Sequence, residues 1–433
     1  MRFPFHAVRV ALLTSYPSGR VEGSILRARV TTSFLSILLV LAVGACTGRS
    51  ISPALHVGPA KPLPRETHDG MPAVFVSVDQ DCSNTSACSS ALGLYSARDG
   101  GLVRRLASTP IVHGISTVVY PVGISSVSRA PTGDVWFVLT EPFCQSEIYR
   151  IDARTGHISL VVKRCGLRAG PQAESPDGRF LAYILASPDP CDSGSALVIR
   201  DLRSGSEREV LPLGSHGLPP RAPKPRLPEK PPPTFDPDYP YGHGEFPCAP
   251  HPTSPGFEGA LVWSLDSRQV VVGHHDGSSR ADCFGCEGPN DDLDLIDART
   301  LRMVDEVHTS CGWVRSLAFD AGGLLAGLDY CKVGGGSEHD EMVVQYSDDL
   351  RAQLFRTALP KCAINSPDVA STGLHHDLLL VTSYYFCSKS AWSGKPPLHD
   401  VGPEYLVEVL ANGQLHPLHV YAAPNGIRSP PVW

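Results

Sequence analysis

Histidine, aspartate and cysteine are the residues of this chain whose spacing could do chemistry. His-His-Asp occurs twice, at His274-His275-Asp276 and at His375-His376-Asp377, and imidazole with carboxylate suits several divalent ions. Cys283 and Cys286 form a Cys-x-x-Cys pair beside the first triplet, a spacing used by redox-active thiols and by half of a zinc site. Each reading meets an objection. Adjacent histidines on a strand point to opposite faces, so at most one of each pair can face a given site. No second Cys-x-x-Cys accompanies the first, and a structural disulfide is the simpler reading. The acidic stretches Ala281 to Asp294 and Gly334 to Glu341 offer oxygen ligands for calcium, but neither has EF-hand spacing. No Gly-x-Ser-x-Gly elbow is present, so a serine hydrolase is not indicated. The expectation is therefore no assigned catalytic residue, no cofactor and no metal, with His274 and His275 as the alternative metal ligands.

The cysteines divide unevenly. There are thirteen, and setting Cys46 aside leaves an even dozen spread through the rest of the chain, which suits an oxidising compartment where disulfides persist. Pairing of neighbours gives Cys82 with Cys88, Cys311 with Cys331, and Cys362 with Cys387. Cys144, Cys165, Cys191, Cys248, Cys283 and Cys286 stay open, because connectivity does not follow from sequence.

Cys46 is set aside for the residues in front of it. Arg27 and Arg29 precede an apolar run, SFLSILLVLAVGAC from Ser33 to Cys46, with small residues just before the cysteine. That is the plan of an export signal, and the run falls short of the roughly 20 apolar residues of a stable membrane span. It resembles a bacterial lipoprotein signal peptide, which implies acylation of Cys46 as the mature N-terminus. Residues 1–45 are read as signal peptide, with Val21 an alternative start, and 46–70 as a lipidated linker. A net charge of −7 with no basic block argues against nucleic acid as a partner.

Repeats set the architecture of residues 71–433. SPDGRFLAYI from Ser175 and ALVIRDLRSG from Ala196 give a tight turn, a strand, a second strand and a closing turn. Turn-then-strand units recur at Ala130 to Leu139, Ser264 to Gly273, Ala318 to Leu328 and Ser371 to Ser383, and Ala73 to Val78 supplies one more strand. Strand-then-turn units follow from Ala91, Glu147, Ala196, Asp292, Met342 and Tyr405. Units of about 50 residues, each too small to bury its own core, predict stacked blades. The unit at Ser175 resembles the TolB-like, WD-like propeller repeat. The expected fold is all-β, a six-bladed β-propeller of four-stranded antiparallel blades, closed by a C-terminal strand within Gly426 to Trp433. Fifteen of the forty prolines fall in an insertion at 212–255, whose composition precludes a strand or helix interior.

Together these readings predict an extracytoplasmic, membrane-anchored propeller that binds or scaffolds, with the membrane as a partner through lipid on Cys46 and an envelope protein as a second partner. The competing expectation is a metal-dependent, polysaccharide lyase-like enzyme with His251, His274, His275 and His308 gathered at the axial funnel.

Overall fold

The computed structural model describes residues 52–432 apart from 53–54, 65–66, 69–70, 85–86, 111, 114–122, 142–144, 166, 187–194, 212–255, 276–290, 312, 333–338, 360–366, 372–376, 383–403, 411, 422–426 and 429–431. Residues 1–45, read above as a signal peptide, Cys46 and the proline-rich insertion lie outside the described residues. Among those described, no helix is long and apolar enough to cross a membrane.

Every regular element among the described residues is a strand. A short edge strand, β1 (His56–Val57), is followed by a two-stranded pair, β2 (Thr67–His68) and β3 (Met71–Pro72), and then by β4 (Val74–Asn84), β5 (Ala87–Ser96), β6 (Leu102–Ser108) and β7 (Val112–His113). Blade two is β8 (Gly123–Arg129), β9 (Val135–Glu141), β10 (Gln145–Ile151) and β11 (Ile158–Cys165). Blade three is β12 (Arg168–Glu174), β13 (Phe180–Ala186), β14 (Ser195–Asp201) and β15 (Glu207–Val210). Blade four is β16 (Gly256–Trp263), β17 (Gln269–His275), β18 (Asp291–Asp297) and β19 (Arg302–Cys311). Blade five is β20 (Trp313–Asp320), β21 (Gly323–Lys332), β22 (His339–Tyr346) and β23 (Gln353–Ala358). The last blade is β24 (Pro367–Ser371), β25 (Asp377–Thr382), β26 (Glu404–Val409) and β27 (Leu415–Tyr421), before a final β28 (Ile427–Arg428).

These five sheets are four-stranded antiparallel meanders. The expectation of six equivalent four-stranded blades is corrected to five, because the first sheet has six strands, in the order β1-β6-β5-β4-β28 with β7 added on β5. Two of the added strands, β1 and β28, come from the two ends of the described chain and extend the outer and inner edges of β4 to β6, while β7 follows β6 and pairs with the start of β5. An isolated bridge between Val76 and Val432 extends the β4 edge pairing.

Apolar packing makes the stack a propeller. First strands of successive sheets touch in the series β4, β8, β12, β16, β20, β24. Alternate residues of one strand serve two neighbours: Leu181, Tyr183 and Leu185 join the core shared with blade two, while Ala182 and Ile184 join the core shared with blade four. β13 therefore reads as an unbroken apolar run, as expected of a strand buried on both faces. The outermost β15, sequence EREV, has no fully buried residue, because only its inner edge is covered.

The turns explain the repeat signature. Ser175 Oγ donates to Asp177 Oδ1 at 2.6 Å and accepts the Phe180 amide at 2.9 Å. Ser264 repeats this with Asp266 and Gln269. At the other kind of turn Asp152, Asp201 and Asp297 each accept two backbone amides through Oδ1. The side chain thus replaces a backbone partner and fixes the reversal.

Residues 55–64, which fall inside the 46–70 linker of the sequence reading, pack against the first two sheets. Leu55 and Leu63 are 5% and 4% exposed and belong to the core between those sheets. β1 pairs with β6 through His56 with Ser108 and Val57 with Ala107. The Gly58 amide donates to the Leu106 carbonyl, and Arg104 and Arg129 donate to the carbonyls of Pro62 and Pro64. This strap ties the chain close behind Cys46 to the propeller wall.

Candidate functional site

Blade four holds a cluster of acids and imidazoles on one face of three adjoining strands. β17 is paired with β18 so that His274 lies opposite Asp292, and β18 is paired with β19 so that Asp294 lies opposite Glu306 and Asp292 opposite His308. Residues two apart on a strand share a face, so Asp292 and Asp294 stand together, as do Glu306 and His308. The intervening Leu293 and Leu295 turn to the other face, into the core with blade five. His274 shares its face with Val272, which joins the core with blade three.

His274 is 6% exposed and Asp294 3%. Nδ1 of His274 lies 3.5 Å from Asp294 Oδ2, yet among the described residues neither ring nitrogen has a hydrogen-bond partner, nor has Asp294 Oδ1. The Phe257 ring leans over the imidazole at 6.0 Å between centroids. One ligand atom each of His274, Asp294 and Glu306 falls within 4.8 Å of the other two. Beside them His308 Nδ1 and Asp292 Oδ1 are 2.6 Å apart.

The electrostatics follow from crowding. Burial by itself lowers the His274 pKa, but Asp294, Asp292 and Glu306 outweigh it and hold the imidazole above its ordinary value. Burial, with repulsion from Asp294 and Asp292, raises the Glu306 carboxyl against the pull of His274. The face therefore favours a positive charge. It can be met by protons or by a cation held by a nitrogen and two oxygens.

The sequence-derived residues fare differently. His274 is in the cluster; His275 follows it at the end of β17, where only its backbone is described. The gathering of His274 and His308 at an axial funnel is corrected: they stand on the second and the outermost strands of their blade, because the register of β17, β18 and β19 brings them together away from the inner strand. His251, His375, His376, Cys283 and Cys286 lie outside the described residues, as do Cys362 and Cys387. Cys82 and Cys88 sit in β4 and β5, with only their backbone described. Cys311 and Cys331 are joined in a disulfide that runs from the end of β19 to β21, with both residues fully buried.

Asp292, Asp294 and Glu306 are the residues that sequence reasoning missed as partners of His274. The first two enter it only as the end of an acidic loop. The available signal was alternation: in DDLDLID, Leu293 and Leu295 take one face of a strand, which puts Asp292 and Asp294 together on the other.

No family model matches the chain, and no curated protein matches it. Solved structures with a similar arrangement include TolB from Acinetobacter baumannii, at 12% identity over 84% of this chain and 68% of that one, with a TM-score of 0.46. The β-propeller domain of Cps50 (Swd1) from Myceliophteria thermophila is similar at 13% identity over 86% of this chain and 90% of that one, TM-score 0.41. An acylaminoacyl peptidase from Pyrococcus horikoshii shares 13% identity over 70% of this chain and 40% of its own, TM-score 0.36.

Proposed function

We propose that this chain is an envelope lipoprotein whose β-propeller acts as a binding or scaffolding module, anchored by acyl chains on Cys46. In this reading β28, paired with β4 at the inner edge of the first sheet, closes the ring. The end of the propeller at which second strands lead into third strands is the binding end.

The observation that carries the reading is the packing of the chain immediately behind Cys46. The amide of Ser52, a buried residue, donates to Tyr149 Oη at 2.9 Å. Six residue steps span at most about 22 Å, so an anchor on Cys46 keeps the propeller wall beside the bilayer. Two acyl chains suffice for stable anchoring at about 0.8 kcal/mol per buried CH₂. A domain strapped close to its anchor suits a partner that lies at the same surface.

The test is site-specific photo-crosslinking in intact cells. Crosslinkers at Ser193, Pro289 or Ser337, between second and third strands, are expected to capture one envelope protein, whereas crosslinkers at Arg154 or Arg203, in the opposite turns, are not. Cys46→Ser should abolish the adduct and release the protein from the membrane fraction. Equal capture from both ends, or capture unaffected by Cys46→Ser, would contradict the reading.

A further inference from the structure

We propose that His274, Asp294 and Glu306 form a binding site for a divalent transition-metal ion in the outer half of blade four. The site is independent of the anchoring and partner binding argued above.

Four observations converge on it. The three donors come from neighbouring strands, β17, β18 and β19, so backbone pairing rather than loop conformation sets their spacing. Donor atoms mutually within 4.8 Å share a point no more than about 2.8 Å from each, and zinc–nitrogen and zinc–oxygen distances of about 2.0 to 2.2 Å are reached by small rotamer shifts. His274 is 94% buried by its 6% exposure, and among the described residues both its ring nitrogens, like Asp294 Oδ1, lack hydrogen-bond partners. Buried polar atoms almost always find partners, and a bound cation would supply one to each residue at once. Finally, Asp292, Asp294 and Glu306 place three carboxylates against two imidazoles on one strand face, an excess of negative charge that a divalent ion offsets.

The donor set selects the ion class. One imidazole and two carboxylates favour zinc, manganese or cobalt over calcium, which prefers oxygen ligands alone. Asp292 stands beside the triad, its Oδ1 2.6 Å from His308 Nδ1, and adds negative charge next to Glu306. The simplest competing account is that protons alone satisfy the cluster, with His274 cationic.

The deciding experiment uses the full exported protein, stripped with chelator, and titrates zinc by calorimetry and cobalt by absorption. Wild type is expected to take up one equivalent, with a cobalt spectrum that lacks thiolate charge-transfer bands. Asp294→Asn, nearly isosteric, and Glu306→Gln, at an exposed position that leaves folding intact, should each weaken uptake by at least about tenfold. No uptake by wild type would establish the proton-only account. Thiolate bands would assign the metal to cysteines, and wild-type affinity in Glu306→Gln would remove that residue from the site; each overturns the proposal.

Discussion

The amide of Leu63 donates to the carbonyl of Ala153 at 2.8 Å, tying the strap that follows Cys46 to the turn that closes β10 onto β11. Lys61 crosses the same turn so closely that a Cβ on Gly156 would lie 2.1 Å from the Lys61 carbonyl oxygen. Gly156 also has φ +71°, a left-handed conformation that other residues adopt at a cost. Leu63→Ala is expected to cost about 2 to 5 kcal/mol, the range for emptying a buried leucine site. Gly156→Ala should destabilise the protein as well, by displacing the strap. Chemical denaturation measures both; a change below about 0.5 kcal/mol, the size of an ordinary surface substitution, would show that the strap is not part of the folded unit.

The Cys311–Cys331 disulfide spans 20 residues, and closing a loop of that length in the unfolded chain accounts for about 3 kcal/mol. Replacing both cysteines with serine should lower the unfolding free energy by about that amount, with a further penalty for burying two hydroxyls. Thermal unfolding of the double variant beside wild type, each with and without reductant, checks the sign and the origin. Wild type should fall towards the variant on reduction, and the variant should not respond through this pair.

Acid sensitivity should reside in the turns. The Asp201 carboxylate is held down to about 2, chiefly by the Ser204 amide, with the Arg203 amide and Arg179 adding to it. Asp297 is lowered for the same reason by the Thr300 amide, and Asp152 by the Thr155 hydroxyl and amide. A folded-state pKa below the unfolded value contributes stability that is present above about pH 4 and lost as pH falls through about 2. Asp201→Asn should therefore be less stable than wild type at pH 6, and the difference should vanish near pH 2. Unfolding curves across that range test it; a difference that widens on acidification would contradict the assignment.

Much of the blade plan was legible in the sequence because it is written in local chemistry. Ser175, Asp177 and Gly178 specify a turn that depends only on near neighbours, and the same logic identified Ser264 with Asp266. It worked even where Ser267 and Leu301 take left-handed conformations, φ 62° and 59°, at places where glycine would be the expected sign. The strap was not legible: β1 is two residues long, and Leu55 and Leu63 are buried by strands far away in sequence. The blade-four cluster was half legible. His274 drew attention as one of a pair, whereas its companions depend on the register of β17, β18 and β19, which brings residues 20 and 32 positions away onto the same face.

The C-terminal segment should matter more than its length suggests. Val76 and Val432 exchange two backbone hydrogen bonds of 2.9 Å, and β28 pairs with β4 through Ile427 with Gln80 and Arg428 with Asp79. Deleting Gly426 to Trp433 would bare that edge of β4, an invitation to strand-edge association. The truncated protein is expected to unfold at lower temperature and to self-associate, read by calorimetry and size-exclusion chromatography. A monomer with unchanged unfolding would mean that β28 does not complete the first sheet in solution.

The account turns on Cys46, and the most direct measurement is the mass of the N-terminal peptide from protein recovered in the membrane fraction. The account predicts a peptide that begins at Cys46 and carries two or three acyl chains, absent from Cys46→Ser. An unmodified Cys46, or a mature chain that begins elsewhere, would contradict it.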